Sequence, residues 1–133
     1  MTPAPLSQTP LVPVSWGELL DKISILEIKS ERITSPAAVA NVRNELSMLA
    51  ASAAPLAAHQ GLAEWKRALK DVNETLWEIE DRIREKEAEA KFDAEFIELA
   101  RSVYVNNDRR ARIKREINLA VGSQLIEEKS YKG

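Results

Sequence analysis

Residues 62–83, LAEWKRALKDVNETLWEIEDRI, decide the fold. Leu62, Trp65, Leu69, Val72, Leu76, Ile79 and Ile83 alternate spacings of three and four, a strict heptad seam. The spacing predicts one helix from Leu62 to about Glu89, roughly 40 Å long at ~1.5 Å per residue. Downstream, Phe96, Leu99, Ala100, Val103, Ile113, Ile117 and Val121 continue a helical period, and Gly122 is a C-terminal stop. The link Ala90-Lys91-Phe92-Asp93 is short, and Asp93 is a good N-cap. Short links make antiparallel neighbours, so a long helical hairpin turning at Ala90–Asp93 is expected.

Upstream, residues 1–14 carry Pro3, Pro5, Pro10 and Pro13, which reads as an extended or disordered arm. Ser15 with Glu18 forms a capping box, and Trp16, Leu19, Ile23, Leu26 and Ile33 mark one helix face. Ser35-Pro36 is a stop and restart, with Ser35 placed to cap and Pro36 at the first helical position. Val39, Val42, Leu46 and Leu49 mark a second, shorter helix. Pro55 and Gly61 bracket an Ala-rich connector. The fold expected is all-α: an antiparallel bundle of three long helices and one short, spanning 15–133, with the C-terminal tail docked through Leu125-Ile126 and Tyr131.

Composition narrows the function classes. At 133 residues, 44% hydrophobic and 30% charged with only 4 Gly, the chain suits one helical domain. A net charge of -2 argues against general nucleic-acid binding. No apolar run approaches the ~20 residues of a membrane span. The N-terminal MTPAPLSQTPLVPV has no positive charge before its apolar residues and does not read as a secretory signal. The absence of cysteine excludes disulfides and thiolate-bound zinc and fits a cytoplasmic protein. No metal and no cofactor is expected. The single histidine, His59, lies in the connector and reads as a solvated loop residue.

The candidate chemistry lies in Arg101–Lys114, RSVYVNNDRRARIK. Asn106, Asn107 and Asp108 compete with a helix for backbone hydrogen bonds, so they build either a helix cap or a polar site. Acids outnumber bases from Glu74 to Glu98, and the reverse holds from Arg101 to Asn118. A hairpin about residues 91 and 92 would place Glu74 near Arg109 and Arg110, Asp81 near Arg101, and Arg67 near Glu116. On that bland reading the basic run only complements an acidic neighbour, each exposed pair contributing about 0–1 kcal/mol. The functional reading joins Asn107, Arg110 and Lys114 on one helix face to Trp77, Glu80 and Arg84 beside the heptad seam, with Lys22 and Lys29 from the first helix. Guanidinium groups flanking a Trp and a Glu would form a pocket for an anionic small molecule. Each has its ordinary counterpart: Trp77 as core, Glu80 and Arg84 as an i,i+4 surface pair, the lysines as solvated groups.

Three segments, SWGELLDKISILEIKSERI, LWEIEDRIREKEAEAKFDAEFIELARSVYVNNDRR and INLAVGSQLIEEKSY, resemble a bacterial and viral family of domains of unknown function. The likeness is carried by Leu20, Lys22, Glu27 and Lys29, by Trp77, Glu80 and Asp81, by Asn107 to Arg110, Lys114 and Asn118, and by Glu127 and Lys129 to Tyr131. Members resemble stand-alone proteins or neighbours of glycosyltransferase-like and tetratricopeptide-repeat proteins. The resemblance implies an accessory role in surface-polysaccharide or lipopolysaccharide assembly and no transferable activity.

Two functions follow. One is a non-enzymatic binding or accessory module with a protein partner. The other is a small helical enzyme or sensor binding an anionic metabolite, loosely similar in its helical Arg, Lys and Glu to small helical chorismate mutases. One concave pocket lined by three or more of Lys22, Lys29, Trp77, Glu80, Asn107, Arg110 and Lys114 would favour the second.

Overall fold

The computed structural model describes residues 2–130, and helices are the only regular secondary structure among them. Four α-helices follow in order: α1 Trp16–Arg32, α2 Pro36–Ser52, α3 Leu62–Ala88 and α4 Ala94–Val121, with a single 3₁₀ turn at Ala54–Leu56. Local chemistry sets the ends. Ser15 Oγ accepts the Glu18 N–H at 3.1 Å and starts α1. Pro36 opens α2, although Ser35 makes no side-chain cap bond. Asp93 accepts the Phe96 N–H at 3.0 Å and starts α4, and Gly122 ends it in the left-handed region at φ 67°.

The hairpin turns at Ala90–Asp93 as expected, with Ala90 itself left-handed at φ 53°. Lys86 and Asp93 close it with an ion pair at 2.7 Å, which holds the Asp93 carboxyl below the usual carboxylate range. Arg82 adds a bond to Glu95 at 2.7 Å across the two helices.

One feature of the bundle differs from expectation. α2 has 17 residues, the same as α1, so two long helices (27 and 28 residues) stand beside two of middle length. The alanines on either side of Val39–Leu49 carry no apolar period, yet they extend the helix through Ser52 because Ala has the best helix propensity. The helices alternate in direction, as expected of an antiparallel bundle. Gly17 meets Asn118 and Asp21 meets Lys114, so α1 runs against α4 and therefore along α3. α2 carries the chain back between them.

The seam of α3 is buried as read: Trp65, Leu69, Val72, Leu76 and Ile79 are all in the core. Of these, Trp65 and Leu69 pack in one cluster with Leu19, Leu20 and Ile23 of α1, Leu56 and Ile117. α1 is the central helix and contacts each of the other three. α4 differs in kind. Of its expected apolar stripe only Ile117 is fully buried, and its other buried side chains are Lys114 and Asn118. The tail docks through polar atoms: Glu127 reaches Lys114 at 2.7 Å and Glu128 reaches Arg115 at 3.1 Å, while Leu125 and Ile126 stay partly exposed. Tyr131 lies outside the described residues. His59 is exposed in the connector but stacks on Trp65 at 4.7 Å between ring centroids, and its Nδ1 accepts the Gly61 N–H.

Gly17 marks the closest approach of α1 to α4. A Cβ there would sit 2.5 Å from the Lys114 carbonyl oxygen, which is backbone and cannot rotate away. Its N–H also donates to the buried Asn118 Oδ1 at 2.7 Å. Gly17→Ala is expected to lower stability by about 2 kcal/mol, because the two helices must part. Urea denaturation of the two chains measures it, and an unchanged midpoint would refute the close contact.

Candidate functional site

The polar site is built from α1 outward. Gly17, Asp21, Ser24 and Ile28 are spaced four, three and four, so they share one buried face of α1. Asp21 is 4% exposed, and a carboxylate so buried needs partners. Asn73 of α3 donates from one Nδ2 to Asp21 Oδ1 at 2.8 Å and to Ser24 Oγ at 2.7 Å. Ser24 in turn donates to the Asp21 carbonyl at 2.7 Å. With both amide protons of Asn73 taken, its Oδ1 is left facing α4. There it accepts from Arg110 Nη1 at 3.1 Å, and Arg110 Nη2 donates to Asn107 Oδ1 at 2.8 Å.

The same carboxylate links to a cation four residues along α4. Lys114 Nζ pairs with Glu18 and with Glu127 at 2.7 Å, and lies 3.9 Å from Asp21. Burial acts to lower the Lys114 ammonium, but hydrogen bonds to Glu127 and Glu18 outweigh it and hold the group above its ordinary value. The bond to Lys114 in turn holds the Glu127 carboxyl below the usual range. Among the described residues no buried side-chain polar atom is left without a partner.

The Asn-Asn-Asp step therefore breaks nothing. α4 is continuous through it. Asn106 donates to the Ser102 carbonyl one turn back, and Asn107 serves Arg110.

Beside this network, α1, α3 and α4 line an open cavity of about 390 Å³. Ile25, Ile28, Leu76 and Trp77 supply apolar walls, and Glu80, Asp81, Arg84 and Arg110 supply charge. The volume falls in the range of small-molecule sites, ~300–1,000 Å³. Arg32, itself tied to Glu74 and Glu78 at 3.4 Å each, stands over the Trp77 ring at 5.8 Å and fixes the indole.

The sequence-predicted residues divide. Trp77, Glu80, Arg84 and Arg110 meet at this cavity, with Asn107 behind Arg110. Lys114 belongs to the carboxylate cluster instead. Lys22 pairs with Glu18 at 3.7 Å and lines a separate cavity under residues 9–14 of the arm. Lys29 lines neither. Glu80 and Arg84 form no ion pair with each other despite their spacing. The expected complement of α3 and α4 is also replaced: Glu74 turns to Arg32 of α1, Arg101 pairs with Glu98 of its own helix, and Arg67 and Glu116 form no pair. Residues at equal height on a hairpin need not face each other, and at Arg110 it is Asn73 that does. Asp21 and Ser24 were not foreseen. They lie three residues apart on the side of α1 away from the Trp16–Ile33 apolar stripe, where polar residues read as solvent-facing.

Residues 11–133 match the model of a family of unknown function (DUF6165), and the chain belongs to that family. No curated protein and no solved structure matches it.

Two outcomes test the network. Asn73→Leu strips Asp21, Ser24 and Arg110 of a shared partner inside the bundle and is expected to cost about 2–4 kcal/mol, read from chemical denaturation. An effect below about 1 kcal/mol would show that Asn73 is dispensable. The second concerns pH. The folded Glu127 carboxyl ionises below its unfolded value of 4.5, so its stabilisation is present above that pH and fades as pH falls through the folded value. Lys114 is the mirror case: its contribution is whole below 10.5 and is lost as pH rises through the higher folded value. Glu127→Gln should lower neutral-pH stability by less than about 1 kcal/mol, since the partner is half-exposed, and should flatten the fall in melting temperature below about pH 4.5. An identical acid limb in both chains would refute the pairing.

Proposed function

We propose that this protein is a non-enzymatic binding module, a sensor or accessory protein, whose cavity between α1, α3 and α4 takes a small anionic molecule. One observation carries the reading. The half-buried Arg110 guanidinium is held by two neutral amide oxygens and by no carboxylate, at the wall of a cavity it shares with Arg84 and Trp77. A guanidinium positioned this way keeps its full charge and most of its N–H donors for a ligand. Its two amide partners lock the fork before a ligand arrives, which reduces the entropy lost on binding.

The lining favours a sugar that carries a phosphate or carboxylate. The arginines suit the anionic group. The Trp77 indole and the Ile25, Ile28 and Leu76 walls suit the C–H face of a ring, and Glu80 and Asp81 are acceptors for hydroxyls. No nucleophile–base pair lies at the cavity, which supports binding over catalysis. A cytoplasmic setting, an origin in bacteria or their viruses and an accessory place in surface-polysaccharide assembly form part of the same proposal. They rest on the lack of cysteine and on the sequence resemblance.

Thermal melting and calorimetry with inorganic phosphate, citrate, a hexose phosphate and a nucleotide sugar test it. The parent chain should gain melting temperature with at least one of them. Arg110→Gln and Arg84→Gln should lose that gain, and Trp77→Ala should lose it for the sugar ligands most. Without ligand, Arg110→Gln should stay within about 1 kcal/mol of the parent, since its partners are neutral. Lys114→Gln should fall by about 3 kcal/mol, because it leaves carboxylates unpaired. No shift in the parent with any of the four, or a shift kept in Arg110→Gln, would overturn the proposal.

A further inference from the structure

The outer face of α4 points away from the bundle, opposite Arg110 and Ile117. Ile97, Tyr104, Val105 and Leu119 lie on it at 47%, 60%, 53% and 60% exposure. Ile97 and Tyr104 are seven residues apart, and, one position on, Val105, Arg112 and Leu119 repeat the same interval. This is a seam without a partner, on a helix whose opposite face already packs.

Charge along the same helix says what covers it. The first turns of α4 hold Glu95 and Glu98 and no base. The run from Arg109 to Arg115 holds Arg109, Arg112 and Arg115 on or beside the outer face and no acid. Between these ends the stripe is its own complement. Arg101 lies three residues before Tyr104, and Asp108 lies three residues after Val105. A two-fold axis through the Tyr104–Val105 step therefore places Arg101 of one copy at Asp108 of the other, twice, as an isologous contact requires. It also lays Arg112 beside the Ile97–Glu98 step and folds the apolar centre onto itself. A parallel pairing would instead set Arg112 on Arg112 and Glu98 on Glu98, like on like.

We propose that a second copy of this chain docks on this face, giving an antiparallel α4–α4 homodimer centred on Tyr104 and Val105. It is independent of the small-molecule cavity, which opens on the other side of α4. Residues 97–112 span only ~24 Å of helix, so the interface sits at the small end of the specific range and the dimer depends on concentration. The intrahelical Arg101–Glu98 contact, at 3.7 Å and largely exposed, is weak enough to yield to the cross-copy pair.

Sedimentation equilibrium up to about 100 μM and directed cross-linking test it together. The chain has no cysteine, so single cysteines report geometry cleanly. Val105→Cys, beside the axis, should form a disulfide-linked dimer under mild oxidation. Leu119→Cys, on the same stripe but far from the axis, should not. Arg101→Asp should weaken dimerisation about tenfold, since two symmetry-related pairs become repulsive at once, and adding Asp108→Arg should restore it. All four positions face solvent or are partly exposed, so the helical circular dichroism should not change. A parent chain that stays monomeric, equal cross-linking of both cysteines, or a dimer indifferent to Arg101→Asp would each overturn the proposal.

Discussion

The bundle is organised around a buried anion. Asp21 sits on the central helix with almost no access to water, and taking a carboxylate out of water costs several kcal/mol unless its oxygens are bonded. Each of the two neighbouring helices answers it in a different way. α3 supplies an uncharged amide, Asn73, at hydrogen-bond distance. α4 supplies a full charge, Lys114, slightly farther off and shared with Glu18 and the tail carboxylate Glu127. Neither helix can slide by a turn without losing its bond. The network thus fixes the relative heights of α1, α3 and α4, which an apolar seam alone specifies poorly. The close contact at Gly17 and Asn118 pins the same pair of helices a turn away.

The same constraint sets the chemistry next door. Because Asp21 and Ser24 take both Asn73 protons, the amide oxygen is committed to Arg110. Arg110 is thereby oriented by a chain of bonds that begins on a different helix. Lys114 takes the carboxylate bonds, so Arg110 hydrogen-bonds only to amides and acts on Glu127 through space. One cation neutralises the interior and leaves the other charged at the cavity wall. The two residues are a single turn apart on α4, yet one is bound by carboxylates and the other by amides at the cavity wall.

How much of this was legible depends on the range of the interaction. Helix ends were legible because Ser15, Pro36, Asp93 and Gly122 act through adjacent backbone. The α3 seam was legible because five of its seven apolar positions are buried on one stripe. Pairing between helices was not. A hairpin turn fixes how high a residue stands on its neighbour but not which way it points, and adjacent residues differ by about 100°. So Glu74, placed near Arg110 by height, faces α1, while Asn73 beside it faces α4. Arg110 and Lys114 read as one stripe because their different partners come from helices far away in sequence. Asp21 and Ser24 were hidden for a related reason: a polar residue on a helix is read as solvent-facing unless something says the face is buried, and α1 is buried nearly all round.

That same rotation explains the residues which most strongly suggested a break. Asn106, Asn107 and Asp108 are consecutive, so their side chains leave α4 in three directions and cannot form one site. Each finds a separate solution. Asn106 bonds back to the Ser102 carbonyl, which spends its polar atoms within the helix. Asn107 turns inward and becomes the second acceptor for Arg110. Asp108 turns outward onto the apolar stripe with Arg101 and Arg112. A cap would have needed one of them to leave helical geometry, and α4 instead stays continuous with Asn106 and Asn107 bonded along it. The step is therefore the place where the inner, cavity-facing side of α4 and its outer, exposed side are specified together. Substitutions there should separate the two: a change at Asn107 acts on the cavity, and a change at Asp108 acts on the outer face.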